Sequence, residues 1–156
     1  MFIKEFDLVR LAGVNEFHYP VEEFTYPESI TRMMNDVYDL HQKADEYLYA
    51  LGLDTAGHPS GIFMLAKGSP NTAYMNPKDL FTRLMLVGSG RFVIIHNHPG
   101  GRCKPSPEDI EMTKTLAYDS HMMGFIFMDH LIIADKKEYY SFLESYPEIL
   151  RMEENE

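Results

Sequence analysis

Cysteine is almost missing from this chain: Cys103 is the only one in 156 residues. A single thiol cannot close an internal disulfide, so packing alone must hold the core, and such sparse usage agrees with a reducing compartment. Long apolar runs are missing too. No stretch approaches the ~18 consecutive apolar residues of a membrane helix. The opening segment "MFIKEFDLVRLAG" carries acids among its apolar residues. It lacks the basic start, apolar centre and small-residue cleavage site of a secretory leader. A cytoplasmic protein without a membrane anchor is expected. Positive charge is also scarce, with 14 Lys and Arg against 24 Asp and Glu and a formal charge of −10. A chain this acidic repels a phosphate backbone unless its bases cluster. The clusters are short, Arg102 with Lys104 and Lys136 with Lys137, so nucleic acid is disfavoured as a partner. There is no internal repeat or low-complexity tract.

The remaining composition is that of an ordinary globular protein, 45% hydrophobic and 24% charged, and the length suits one domain with a real core. "FIKEFDLVRL" reads as an edge strand, and "FHYPVEEFTYP" as irregular because Pro20 and Pro27 interrupt it. A helix is predicted over "SITRMMNDVYDLHQKAD", with Ser29 as its cap and Ile30, Met33, Met34, Val37, Leu40, His41 and Ala44 at helical spacing. "EYLYALGLD" is apolar throughout and predicts a strand buried on both faces. With the turn "TAGHPSG" and the strand "IFMLAK" it makes a hairpin.

A second helix follows in "NPKDLFTRLMLVG", capped by Asn76, started by Pro77 and ended by Gly88. The strand "RFVIIHNH" stops at Pro99. A third helix runs from Ser106 to about Met123, with Ile110, Thr113, Leu116, Ala117 and Met123 inward and Gly124 after it. "FIFMDHLIIAD" and "EYYSF" supply the last strands, and "RMEENE" a frayed tail. The order is that of an α/β fold, a mixed β-sheet flanked by helices.

"IIHNHPGGRCKPSPED" carries the chemistry. Residues i and i+2 of a strand share a face, so His96 and His98 can address one point in space. Neutral imidazole is a good zinc ligand, and a catalytic zinc usually takes three protein ligands and a water. Asp109, in the first turn of the next helix, is the candidate third. The same Ser106 and Asp109 also make an ordinary helix start, in which Ser caps and an acid follows three residues on.

"HNHPGGRCKPSPED" resembles the H-x-H, seven residues, S-x-x-D motif of the JAB/MPN (JAMM) metalloprotease family. The flanking "DHLIIADKKEYYSF" and "NPKDLF" look like its RadC-like branch, over about residues 29 to 144. The resemblance implies a JAB/MPN, cytidine-deaminase-like architecture. It implies an extension over residues 1–28 packed on a domain of residues 29–146, with a charged tail at 147–156. His96, His98 and Asp109 match the family's zinc ligands. Ser106 matches the motif serine, whose hydroxyl assists the metal-bound water or the oxyanion. In "EYLYALGLD", Glu46 matches the family's catalytic glutamate, with Asp45 beside it as the weaker match. The implied activity is zinc-dependent hydrolysis of a peptide or isopeptide bond in a protein or peptide substrate.

Gly100 stands where the branch usually has Ser, at a loop position that is not a ligand. Cys103 lies between ligands, where it is either a fourth zinc ligand that blocks the water or an exposed thiol. Asp129 and His130 either orient a ligating histidine or form a structural pair. His18, His41, His58 and His121 fall outside any ligand spacing. The branch's longer members carry an N-terminal helical domain for which this chain has no room, so it reads as a standalone JAB domain. A different class of function also follows from the family's label, that of a nucleic-acid-associated DNA repair accessory protein. A metal-free binding scaffold is a third reading, which the intact ligand set disfavours.

Overall fold

The computed structural model describes residues 17–20, 24, 26–68 and 75–151. The expected edge strand in "FIKEFDLVRL" and the end of the tail lie outside them. Five strands form one mixed sheet in the order β2-β1-β3-β4-β5, namely β1 Glu46–Leu53, β2 Pro59–Gly68, β3 Arg91–Asn97, β4 Ile126–Ile133 and β5 Tyr139–Ser141. β1 runs antiparallel to both β2 and β3, and only β3 and β4 are parallel. This is the α/β class that the pattern predicts. Beyond Glu46, β1 is apolar because it sits between two neighbours and is covered on both faces.

The helices α1 (Pro27–Tyr38), α2 (Pro77–Leu86) and α3 (Pro107–Met123) cover the sheet, and a short α4 (Phe142–Ser145) follows β5. On one face α1 packs Ile30, Met33 and Met34 against Tyr49, Leu51, Val93, Ile95, Leu131 and Ile133. On the other, α2 and α3 pack Leu80, Phe81, Leu84, Leu116 and Ala117 against Leu48, Ala50, Phe92, Ile94 and Phe127. Period-two alternation along β1 and β3 sorts these residues to opposite faces. α3 is the crossover between two parallel strands, so its N-terminus lies beside the carboxyl end of β3, where open α/β sheets hold ligands.

Helix starts follow local chemistry closely. Asn76 accepts the Lys78 N–H at 3.1 Å and Pro77 takes the first position of α2. α1 departs from expectation at both ends. Pro27, expected to interrupt structure, is its first residue, where a missing N–H costs nothing. Tyr26 therefore takes the cap position, and Ser29 instead donates its hydroxyl back to the Tyr26 carbonyl at 2.7 Å. The helix stops at Tyr38 because Asp39 turns left-handed, with φ of 49°. A 3-10 turn at Leu40–Gln42 then replaces the helix expected to run on to Asp45. Helical phase is lost there, which leaves Ala44 exposed; Val37, still within α1, is exposed as well. Met123, expected inward, is exposed on the last turn of α3.

Residues at both ends of the described chain pack on this domain. Phe24 is buried against α1, and a 3-10 turn at Pro147–Leu150 buries Ile149 against Ile132 and Phe142. No helix among the described residues is long and apolar enough to cross a membrane.

Gly52 marks a close approach. A β-carbon there would overlap the Ser89 hydroxyl and lie 3.2 Å from Leu84 Cδ2. Gly52→Ala should destabilise the fold by about 1–3 kcal/mol, the usual cost of overpacking. Urea denaturation measures it, and an unchanged midpoint would show that the Ser89 turn yields freely.

Candidate metal centre

Parity brings the first three residues together. Phe92, Ile94 and His96 alternate onto the α2–α3 face, and Glu46, Leu48 and Ala50 do the same on β1. Leu48 pairs with His96 in the antiparallel register, so Glu46 falls beside His98. His98 follows the last residue of β3 and is held there by donating its N–H to the Ile133 carbonyl at 2.9 Å. The chain then turns through Gly101, at φ of 72°, where glycine carries no steric penalty. That loop places the start of α3 beside the strand end.

At that start, Ser106 and Asp109 form a reciprocal capping box. The Asp109 N–H donates to Ser106 Oγ at 3.1 Å, and the Ser106 N–H donates to Asp109 Oδ2 at 2.7 Å. The Ser106 hydroxyl donates to the same carboxylate oxygen at 2.8 Å. The cap therefore also aims the carboxylate. Asp109 Oδ1 lies 3.2 Å from His96 Nε2, and Oδ2 lies 3.3 Å from His98 Nε2. The two Nε2 atoms are 2.9 Å apart. Glu46 Oε1 approaches His98 Nε2 to 3.9 Å.

Ligand atoms of Glu46, His96 and His98 all lie within 4.8 Å of one another, a group that could hold a metal ion. Asp109 lies outside this mutual set, yet its oxygens stand nearer to the imidazoles than Glu46 does. The shorter contacts and the capping box set the Asp109 carboxylate against both imidazoles, with Glu46 as the neighbouring carboxylate. Cys103 is half-buried in the loop and is not among the converging atoms. His18, His41, His58 and His121 are likewise apart from the group.

The donor set fits a small tetrahedral cation. Metal–nitrogen and metal–oxygen bonds of ~2.0–2.1 Å at tetrahedral angles place neighbouring ligand atoms ~3.3 Å apart. The two Nε2 atoms are 2.9 Å apart, and Asp109 reaches one through each of its carboxylate oxygens, Oδ1 at 3.2 Å from His96 and Oδ2 at 3.3 Å from His98. Electrostatics point the same way. Burial opposes ionisation of Asp109, but its contacts with the His96 and His98 imidazoles outweigh it and hold the carboxyl well below the usual range. Burial lowers the His98 pKa, but the Asp109 carboxylate and the Arg102 carbonyl more than offset this, and the net shift is upward. The site draws in positive charge.

Further contacts steady the ligands. His98 Nδ1 donates to the Arg102 carbonyl at 2.8 Å. His96 Nδ1 lies 2.8 Å from His130 Nε2. His130 is fully enclosed, and burial, reinforced by His96, pushes its pKa well down. Asp129, paired with His130 in the sequence reading, points to the opposite face of β4. There it accepts the Ser141 hydroxyl at 2.6 Å and the Leu143 N–H at 2.8 Å. It anchors α4 rather than a ligand, because neighbours on a strand face opposite ways.

Two residues missed by sequence reasoning belong here. Asn97, between the histidines, faces away from them. Its Oδ1 accepts the Tyr47 N–H at 2.8 Å, and its Nδ2 donates to the Asp45 carbonyl at 3.0 Å. It clamps the backbone on both sides of Glu46. The signal was available in part, since the middle residue of a strand-end H-x-H must point the other way. Thr113, read only as an inward helix position, bonds to His130.

A cleft of about 880 Å³ opens over these residues. Glu46, His96, His98, Ser106 and Asp109 line it, with walls of Leu48, Met75, Pro77, Met112 and Leu116 and with Arg102 and Lys104 alongside. Its size lies within the ~300–1,000 Å³ of ordinary ligand pockets.

Fold and site together define an α/β protein with two histidines and two carboxylates gathered at the end of a strand. The description RadC-like JAB domain matches residues 24–147, and the chain belongs to that family. Relatives named only as UPF0758 proteins include one from Methanococcoides burtonii, 33% identical over 132 residues, covering 81% of this chain and 58% of the relative. Another, from Pelobacter propionicus, is 32% identical over 135 residues, covering 86% of this chain and 55% of the relative. The chain thus spans about half the length of these curated relatives.

Asn97→Ala should cost about 1–3 kcal/mol, because the Tyr47 N–H loses its partner in a part-buried position. Chemical denaturation reads it. Asp129 makes a pH prediction. Burial raises its pKa from 3.8 to about 6, against hydrogen bonds from Ser141, Leu143 and His130 that favour the charge. With the folded value above the unfolded one, this carboxyl's contribution is full below about pH 4. It is lost as pH rises through about 6, a fall on the order of 3 kcal/mol at ~1.4 kcal/mol per unit. Stability measured from pH 4 to 8 should show that fall, and Asp129→Asn should remove it.

Proposed function

We propose that this protein is a zinc-dependent metallohydrolase that cleaves a peptide or isopeptide bond in a protein or peptide substrate. The observation that carries this reading is the gathering of His96, His98, Asp109 and Glu46 at the floor of an open cleft. His96, His98 and Asp109 would hold the zinc. Two imidazoles and a carboxylate suit that borderline-soft ion and leave a position free. When bound, zinc polarises a carbonyl and lowers the pKa of a water towards ~7.

The protein's own groups then divide the work. Glu46 takes the proton of the attacking water and returns it to the departing amine, as a positioned carboxylate does. Asn97 holds the backbone around Glu46, so that the carboxylate keeps its reach. Ser106 supports the developing oxyanion by turning its hydroxyl from Asp109, whose carboxylate keeps the Ser106 N–H. The apolar walls exclude water beside the scissile bond, which strengthens each of these interactions.

Protein purified without chelator should carry about one zinc per chain, as a three-ligand site requires. His98→Ala or Asp109→Ala should lose it. Glu46→Gln should keep zinc and fold while cleavage of a peptide library falls ~10²–10⁴-fold. Metal analysis showing no zinc above background in the wild type would overturn the proposal, as would full cleavage by Glu46→Gln.

A further inference from the structure

The hydrogen bonds behind His96 have only one consistent direction. The Thr113 hydroxyl holds a single proton and donates it to the Asp109 carbonyl at 2.6 Å, a group that can only accept. Thr113 Oγ also lies 2.7 Å from His130 Nδ1. With its proton committed, the hydroxyl must accept there, so His130 carries its hydrogen on Nδ1. The His130 ring is fully enclosed and stacks on Phe142 at 5.0 Å and 11°. Both its nitrogens are occupied, one by a hydroxyl that must accept and the other by a second imidazole, so a neutral ring with one N–H is the form that fits. His130 Nε2 is then an acceptor, and the group 2.8 Å from it, His96 Nδ1, must donate. A neutral His96 with its hydrogen on Nδ1 has its lone pair on Nε2, the atom facing Asp109 and His98.

We infer that Thr113 and His130 form a positioning relay that fixes the tautomer of His96 and so presents its Nε2 lone pair to a metal ion. This rests on the metal-centre reading above and adds two residues to it. The relay crosses α3, β4 and β3, and both of its ends are ligand residues. It starts on the carbonyl of Asp109 and finishes on the ring of His96. One bonded chain therefore registers the helix that supplies the carboxylate against the strand that supplies the imidazoles. His98 has the simpler version of the same support, its Nδ1 donating directly to the Arg102 carbonyl. Without the Thr113 hydroxyl, His130 would gain by moving its hydrogen to Nε2 and donating to His96 Nδ1. That would place the His96 hydrogen on Nε2, where a metal must bind.

The test uses the full chain labelled with ¹⁵N-histidine. Wild-type zinc uptake is measured first, by chelator competition. Long-range ¹H–¹⁵N spectra of the zinc-loaded protein should show His96 and His130 both protonated at Nδ1. Thr113→Val, nearly the same shape, should weaken zinc binding roughly 10–100-fold, as loss of a ligand's orienting partner does. Thr113→Ser, which keeps the hydroxyl, should bind within a few-fold of wild type. A His130 protonated at Nε2 in the wild type overturns the relay and leaves the metal centre standing. So does a Thr113→Val variant that binds zinc like the wild type, whatever its thermal stability. Absence of zinc uptake by the wild type overturns the metal centre and the relay with it.

Discussion

Two imidazole nitrogens face each other 2.9 Å apart, with carboxylates at 3.2, 3.3 and 3.9 Å. That gathering is the constraint on which the rest of the site depends. Two imidazole nitrogens so close need a proton or a cation between them, and buried carboxylates likewise need a positive partner. The upward shift of His98 and the downward shift of Asp109 are two expressions of it. The surrounding architecture holds the four groups together.

Each group is held by a different device. β-sheet register sets His96 and Glu46, and the Ile133 carbonyl extends that register to His98. A helix cap sets Asp109, so a local folding signal and the device that aims this carboxylate are the same bonds. Asn97 turns the unused middle position of the H-x-H into a clamp on the strand carrying Glu46. Rigid elements of this kind suit a site that must keep its ligands within tenths of an ångström.

Much of this was legible in the sequence because it rests on short-range rules. Period two puts His96 and His98 on one face, and S-x-x-D marks both a cap and the place of Asp109. Asn76, Pro77 and Gly88 bracket α2 as their backbone preferences require. What was hidden depends on partners far along the chain. The end of α1 turns on Asp39 adopting a left-handed conformation, which Asp tolerates better than most residues but adopts only where its surroundings select it. The separate fates of Asp129 and His130 depend on which face of β4 each occupies. A register shift between Phe92 and Val93 in the β3–β4 pairing sets that, and local patterning does not reveal such a shift. Thr113 looked like a core residue because its partner, His130, is 17 positions away. Ile149 joined the core for a similar reason, packing on Ile132 and Phe142 from within a segment that reads as tail.

The central claim is that His96, His98 and Asp109 converge on one cation without help from the thiol nearby. X-ray absorption of the zinc-loaded protein tests it most directly. The expected spectrum has only nitrogen and oxygen neighbours at ~2.0–2.1 Å, including two imidazoles, with no sulfur. A sulfur shell at ~2.3 Å would place Cys103 on the metal and contradict the account.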